Sequence, residues 1–374
     1  MQYMKRAFDK YRIVFLLLML CLIPVGCKLI AVEAEAPIPT STPTPIPTET
    51  PTPTPESMAE QLFIETPWPT PTEHPTAAPT LTPEPTPTPE PTPFGLLWLP
   101  DTQMYTAGNI DDKHEKLNQL GEEIALRIEP EHLIGVLHTG DMVDSGNRLQ
   151  QWEQFGGFLD TFIDRIPFYP VTGNHDIGKY DSVTGGSYWA YMQQPFLERL
   201  PEGQTYDGGK MFYAVLNKGE HPLLLLGIGY DMCREKEQRE WVDEVMRIHA
   251  DLPCMMITHA YQISPDDVFL HWNYLEKEVI SRYSNIRMVL CGHARGFFHS
   301  VSAYDDDGDG AEDRTVHVLM LNDQDGVFRY GVLSVDMIRG SVRLRTFITA
   351  ADGSDENGLQ TLPIDDIVLE DVFY

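Results

Sequence analysis

The sequence from Phe94 onward predicts an α/β domain, and three observations carry that expectation. Short apolar runs alternate with amphipathic stretches, the pattern of strands separated by helices. Nearly every apolar run ends in a polar residue able to hold a metal ion or a phosphate. After Thr315 the pattern changes to closely spaced β-forming segments.

Taken in order, the predicted strands are Leu96–Leu99, Leu133–Leu137, Phe168–Val171, Leu223–Ile228, Met255–Ile257 and Arg287–Cys291. Helical patterns lie between them, near His114–Ile128, Leu149–Ile163, Lys236–His249 and Leu275–Tyr283. The β-rich end reads as Val316–Leu321, Phe328–Val335 and Val342–Ile348. The domain is therefore bounded at residues 94–350, and residues 351–374 read as an acidic tail. The strand endings matter most. Leu99 leads to Asp101, Leu137 to Asp141, Val171 to Asn174, Ile257 to His259 and Cys291 to His293. Open α/β sheets bind ligands beyond the carboxyl ends of their strands, so these endings are expected to converge on one edge.

The rest of the chain is of a different kind. Of its 30 prolines, 19 lie between Pro37 and Pro93. Within a linker bounded at residues 28–93, residues 37–93 repeat Thr-Pro and Glu-Pro and cannot bury enough apolar surface to offset their ordering entropy. They read as a semi-rigid linker that extends on the order of 170 Å. Residues 1–27 read as an export signal: Lys5, Arg6, Lys10 and Arg12 precede an apolar core from Ile13 to Ile23. Pro24-Val25-Gly26-Cys27 resembles the lipoprotein cleavage box of bacteria, which implies a lipid on Cys27 and a membrane partner. Pro24 departs from the Leu usual in that box, and plain secretion or an uncleaved anchor are the alternatives. The expected location is extracytoplasmic. The formal net charge of −29 shows no basic stripe for a nucleic-acid groove. It also disfavours polyanionic substrates unless metal ions supply positive charge locally. Cys233, Cys254 and Cys291 lack metal-ligand spacing and suggest no disulfide framework. Oligomeric state is left open.

Asp101-Thr102-Gln103, Gly140-Asp141-Met142-Val143-Asp144, Gly173-Asn174-His175-Asp176, Thr258-His259 and Gly292-His293-Ala294-Arg295 follow one another in the chain. This ordered set resembles the motifs of calcineurin-like metallophosphoesterases, over about Leu96 to Arg295. The resemblance implies a β-sandwich flanked by helices in α/β/β/α layers. It implies hydrolysis of phosphomonoesters or phosphodiesters by a metal-activated water, with a phosphoester as the substrate partner. The expected cofactors are divalent ions, Mn, Fe or Zn, because two such ions clamp a phosphate and generate hydroxide near neutral pH. Asp141 would bridge the two ions, Asn174, His259 and His293 would complete one position, and Asp101 would belong to the other. His175 would hydrogen-bond the phosphate or protonate the leaving oxygen, with Asp176 orienting its ring.

Two positions depart from the family pattern. Gln103 and Arg295 stand where imidazoles are usual, both at the Asp101 position. Gln103 can coordinate weakly through its carbonyl, Arg295 cannot coordinate as a cation, and His299 is a nearby substitute. Arg295 could instead hold a substrate phosphate bidentately. One tightly held ion and a second weak one are expected. The Asp-Thr-Gln opening looks like a bacterial subgroup of the family. A competing reading is a surface binding protein on a decayed phosphoesterase fold, which Gln103 and Arg295 favour and the other retained residues disfavour. Separately, Asp305, Asp307 and Asp309, with Gly310 at a turn and Asp313 beyond it, match the first half of a calcium loop. The closing Glu of such a loop is absent, and a solvated acidic turn is the alternative. His138, Trp152, Trp189 and Trp241 read as packed structure rather than chemistry.

Overall fold

The computed structural model describes residues 93–107, 111–177, 205–217, 219, 221–268, 273–322, 328–349 and 363–374. The leader, Cys27, Trp189 and the linker up to residue 92 lie outside the described residues.

Two mixed sheets stack face to face. The first has the order β15(Asp365–Leu369)-β14(Ser341–Ile348)-β13(Arg329–Asp336)-β1(Phe94–Leu99)-β2(Leu133–His138)-β3(Phe168–Pro170). The second has the order β11(Gly296–Tyr304)-β12(Arg314–Asn322)-β10(Ile286–Cys291)-β7(Cys254–Thr258)-β6(Leu223–Ile228)-β5(Met211–Leu216)-β4(Thr205–Tyr206). A small ribbon pairs β8(Gln262–Ser264) with β9(Asp267–Val268). In each sheet the central strands run parallel: β1, β2 and β3 in one, β6, β7 and β10 in the other. Their carboxyl ends carry the motif residues.

The strands near the centre are apolar at nearly every position because both faces are covered. In β1, Leu96 and Trp98 join the core between the sheets, with Leu225, Met255, Ile257, Leu290 and Leu333. Leu97 and Leu99 point the other way, onto α2(Asp111–Arg127) and α3(Leu149–Leu159) through Leu117, Leu120, Trp152 and Phe155. The second sheet alternates likewise, with Leu224, Leu226 and Met256 against α4(Lys236–Ile248) and α5(Asn273–Glu278). The result is the expected α/β/β/α sandwich. Helix α4 shows why these segments form where they do. Glu235 and Gln238 make a reciprocal capping box at its start, and Val242, Val245 and Met246 form its buried stripe.

The expected strands and helices are present with shifted ends. The pattern expected over Leu275–Tyr283 divides into α5 and a single 3-10 turn at Ile280–Arg282. Strands β5 and β11 go beyond the expected set. β11 is an edge strand, half-buried along most of its length, so its sequence lacks a clean apolar run. The expected acidic tail is corrected over its described part. β15 pairs antiparallel with β14, Val342 opposite Leu369, and Leu369, Val372 and Phe373 enter the core between the sheets. Ile367 and Leu369 face inward while Asp366 and Val368 face outward, a period-2 pattern that the acidic composition hides. Asp366 pairs on the surface with Arg343.

A buried polar bridge ties α2 to the first sheet. Arg127 Nε donates to the Tyr330 hydroxyl at 2.8 Å, and that hydroxyl donates to Glu123 at 3.0 Å. The guanidinium lies 3.7 Å from the centre of the Phe347 ring.

The C-terminal segment is expected to carry stability. Phe373→Ala should destabilise the domain by about 3 kcal/mol, the cost of removing a packed aromatic ring. Urea unfolding measures this, and a change under about 1 kcal/mol would show that the segment is not part of the core.

Candidate metal centre

The centre forms where the carboxyl ends of the two sets of parallel strands meet. β1 delivers Asp101, β2 delivers Asp141, and β3 delivers Asn174 and His175. β7 delivers His259 and β10 delivers His293. The loops can approach closely because glycine stands at the contacts. A Cβ on Gly173 would lie 2.1 Å from Asp141 Oδ1, and one on Gly292 would lie 2.4 Å from Asp101 Oδ2. Asp141 and His293 themselves adopt left-handed backbone, with φ of 56° and 66°. Such conformations cost about 1–3 kcal/mol each and persist only where the surroundings enforce them.

His259 is the middle of the arrangement, fully buried. Its Nδ1 lies 2.9 Å from the Thr139 carbonyl. A carbonyl only accepts, so Nδ1 carries the proton, and in the neutral ring Nε2 is bare. Around Nε2 lie Asn174 Oδ1 at 2.9 Å, His293 Nδ1 at 3.1 Å and Asp141 Oδ2 at 3.3 Å. The Asn174 and Asp141 oxygens only accept, so an unprotonated Nε2 meets two further lone-pair atoms there, a cluster that a cation, either a proton or a metal ion, relieves.

The ionisation of the groups follows. Burial opposes charge on His259, but the Asp141 carboxylate and its hydrogen bond, with Asp101, outweigh it and push the imidazolium up to about 9. Asp141 is likewise opposed by burial yet held below the usual carboxylate range by His259. Burial, then the charge of His259, pulls His293 down to about 4. Burial, only partly offset by His259, pushes Asp101 up to about 7. In a metal-free centre, a proton on His259 takes the place of the missing cation.

A divalent ion fits these residues. Donor atoms of Asp141, His259 and His293 lie within 4.8 Å of one another, and the Asn174 oxygen touches the same imidazole. Asp101 Oδ1 stands 3.9 Å from the other nitrogen of His259 and accepts from the His293 backbone N–H. Gln103 donates from Nε2 to Asp141 Oδ2 at 3.3 Å, and its Oε1 is buried with no hydrogen-bond partner among the described residues.

Other expected residues fall differently. His175 is partly exposed at the rim. Its Nδ1 lies 2.6 Å from the Asp144 carbonyl and 3.8 Å from the Asp144 carboxylate, which leaves Nε2 directed 4.0 Å from Asp141. Asp176, expected to orient that ring, has another task. Its carboxylate accepts from the backbone N–H groups of Gly173 at 2.7 Å and Val143 at 3.1 Å, tying two ligand loops together. Burial and the nearby Asp141 charge push it up to about 8. Arg295 is exposed on the turn after His293. His299 points Nε2 at His317 Nδ1, 3.1 Å away, on the paired strands β11 and β12. The acidic loop lies at the far end of the same hairpin, where Arg314 bonds to the Ile286 carbonyl at the start of β10. There Asp305, Asp307 and Asp313 come together, while Asp309 bonds to the Ala311 N–H and stands outside that group. Both oxygens of Asp305 already accept from the Gly308 and Gly310 N–H groups.

His138 is packed structure. Thr102 Oγ1 donates to the Met142 carbonyl, so His138 Nε2 donates to Thr102, and its Nδ1 accepts from the Gly140 N–H at 3.1 Å. Only neutral histidine satisfies both contacts, and burial pulls it down to about 3. Two residues escaped the sequence reading. One is Asp144 as the group that orients His175. The other is Tyr230, whose ring centre lies 5.8 Å from that of His259 and 6.5 Å from that of His293. Tyr230 closely follows β6, so the rule that strand endings face the site would have found it.

A model of the calcineurin-like phosphoesterases matches residues 96–294, more than half of the chain, and the protein belongs to that family. Over 242 residues it is 26% identical to the uncharacterized protein YvnB of Bacillus subtilis (strain 168), an overlap of 62% of this chain and 18% of YvnB. The chain thus spans less than a fifth of the length of that relative. The purple acid phosphatase of yellow lupin (Lupinus luteus) seeds superposes with a TM-score of 0.52 at 14% identity, over 75% of this chain and 54% of that one. That likeness is one of fold.

Metal uptake is expected to release protons. His259 without metal holds its proton up to about pH 9, and a ligating imidazole must be neutral. Affinity should therefore rise between pH 6 and 8, by roughly tenfold per unit for one released proton. Calorimetry in two buffers of different ionisation enthalpy measures the release. Identical heats in both would show that His259 gives up no proton.

Proposed function

We propose that this protein is a metal-dependent phosphoesterase acting on phosphomonoesters or phosphodiesters. The observation that carries the reading is the set of lone-pair donors around His259 Nε2, with His175 Nε2 at its rim. Divalent ions held there would supply Lewis acidity and lower the pKa of water. The protein's own residues account for the remainder. Asp141 and Asp101 place negative charge where cations must bind, which offsets the unfavourable approach of an anionic ester to an acidic protein. His175 has its Nδ1 proton engaged by the Asp144 carbonyl and its Nε2 facing Asp141, from which the doubly protonated ring would give a proton to a departing alkoxide. Asp144 fixes the orientation, because its carbonyl accepts only from the protonated nitrogen. Membership of a phosphoesterase family supports the same chemistry.

An aryl phosphate and its diester, each with added Mn²⁺, test the reading, and chelation should abolish turnover. His175→Asn should lower kcat by roughly 10²–10⁴-fold with metal content unchanged. Turnover of neither ester by metal-loaded protein would favour a binding role instead.

The second part of the reading is location. The basic leader, the apolar core and Cys27 support export with a lipid anchor, and the Pro-rich linker supports a domain held away from the membrane. Cys27→Ala should move the protein from the membrane fraction into the medium. Unchanged retention on the membrane would sink the lipid-anchor proposal.

A further inference from the structure

The two sides of the metal centre differ in the kind of atom they offer. One side presents imidazole nitrogens from His259 and His293, with Asn174 and Asp141. The other presents only oxygen. Asp101 is 1% exposed, and its two carboxylate oxygens share one backbone donor, the His293 N–H, at 3.2 and 3.1 Å. Gln103 is 7% exposed, and its amide orientation is fixed by chemistry. Its nitrogen must face the Asp141 carboxylate, which only accepts, and so its oxygen is the atom left over. That Oε1 is buried and without a partner among the described residues. A buried, unpaired amide oxygen costs about 1–3 kcal/mol, so its retention points to something that takes it up. Among the described residues, the nearby nitrogens are engaged elsewhere or turned away. His259 Nδ1 is committed to the Thr139 carbonyl, His299 is turned to His317, and Arg295 is exposed.

We infer that the Asp101–Gln103 side, sharing Asp141, is an all-oxygen position that selects a hard divalent cation, Mn²⁺ or Mg²⁺, beside a nitrogen-bearing position that selects Zn²⁺ or Fe²⁺. Carboxylate and carbonyl oxygens suit Mg²⁺ and Mn²⁺, whereas imidazole suits zinc and iron. Replacing an imidazole by an amide at Gln103 thus changes which ion is chosen as well as how tightly it is held. The inference rests on the metal centre of the proposed function, but its test reads bound metal rather than turnover.

The full chain is stripped with a chelator and dialysed against equal concentrations of Mn²⁺ and Zn²⁺. Bound metal is then counted by elemental analysis, and Mn²⁺ is followed by its paramagnetic resonance signal. Wild type should hold both metals, with zinc on the histidine side. Gln103→His should exchange the manganese for a second zinc. Gln103→Glu, which keeps an oxygen donor and nearly the same shape, should keep the manganese and bind it more tightly. Gln103→Leu should weaken manganese by roughly tenfold or more. His293→Ala should lose zinc and retain the manganese signal. Two zinc ions in wild type, or manganese retention that ignores every change at Gln103, would overturn the inference. Metal binding as expected with no ester turned over would leave it standing while the catalytic reading fell. No bound metal in any variant would remove both.

Discussion

The hydrogen bond from His259 Nδ1 to the Thr139 carbonyl is the contact on which the centre depends. It crosses from the second sheet to the first and fixes the tautomer of a fully buried ring. With a proton held on that side, the opposite nitrogen is the atom that faces Asn174, His293 and Asp141, and it offers a lone pair there whenever the ring is neutral. The cross-sheet bonds beside it act in the same sense. The His293 N–H donates to the Asp101 carboxylate, and the Tyr230 N–H donates to the Thr172 carbonyl. The edge where the sheets meet is therefore closed by bonds that each involve the main chain on at least one side, and the side chains there are placed by that frame.

Much of this could be seen in the residues alone, and the reason is physical. A parallel strand buried on both faces is a continuous apolar run, and the polar residue that ends it is displayed at the carboxyl edge. Asp101, Asp141, Asn174, His259 and His293 were all legible by that rule. The role of Asp176 was not. Its neighbour in sequence is His175, yet its carboxylate turns inward to backbone N–H groups, a choice made by loop geometry. Nor was the role of Asp144, because its contact to His175 is made by its carbonyl, which every residue possesses. Edge strands were also poorly legible. β11 and β15 are covered on one face at most, so their patterns are mixed, and the acids at 365 and 366 mask the alternation that buries Ile367 and Leu369.

The centre is also held by groups that never face a ligand. Neutral His138 links the Thr102 hydroxyl to the Gly140 N–H, so the loop carrying Asp101 and Gln103 is bound to the loop carrying Asp141. Asp176 binds the Asp141 loop to the Asn174 loop. These ties supply what the left-handed backbone at Asp141 requires, since a strained residue persists only when its surroundings over-determine it.

The contact between Asp101 and the His293 N–H spans 192 positions of sequence. Strand β1, which carries Asp101, is itself paired with β13, Phe94 opposite Val335. A growing or threading chain therefore has no ion site until nearly all of the domain has emerged and closed. Long-range pairing of this kind forms late and slowly. The ligand set around His259 is thus complete only when both sheets have met.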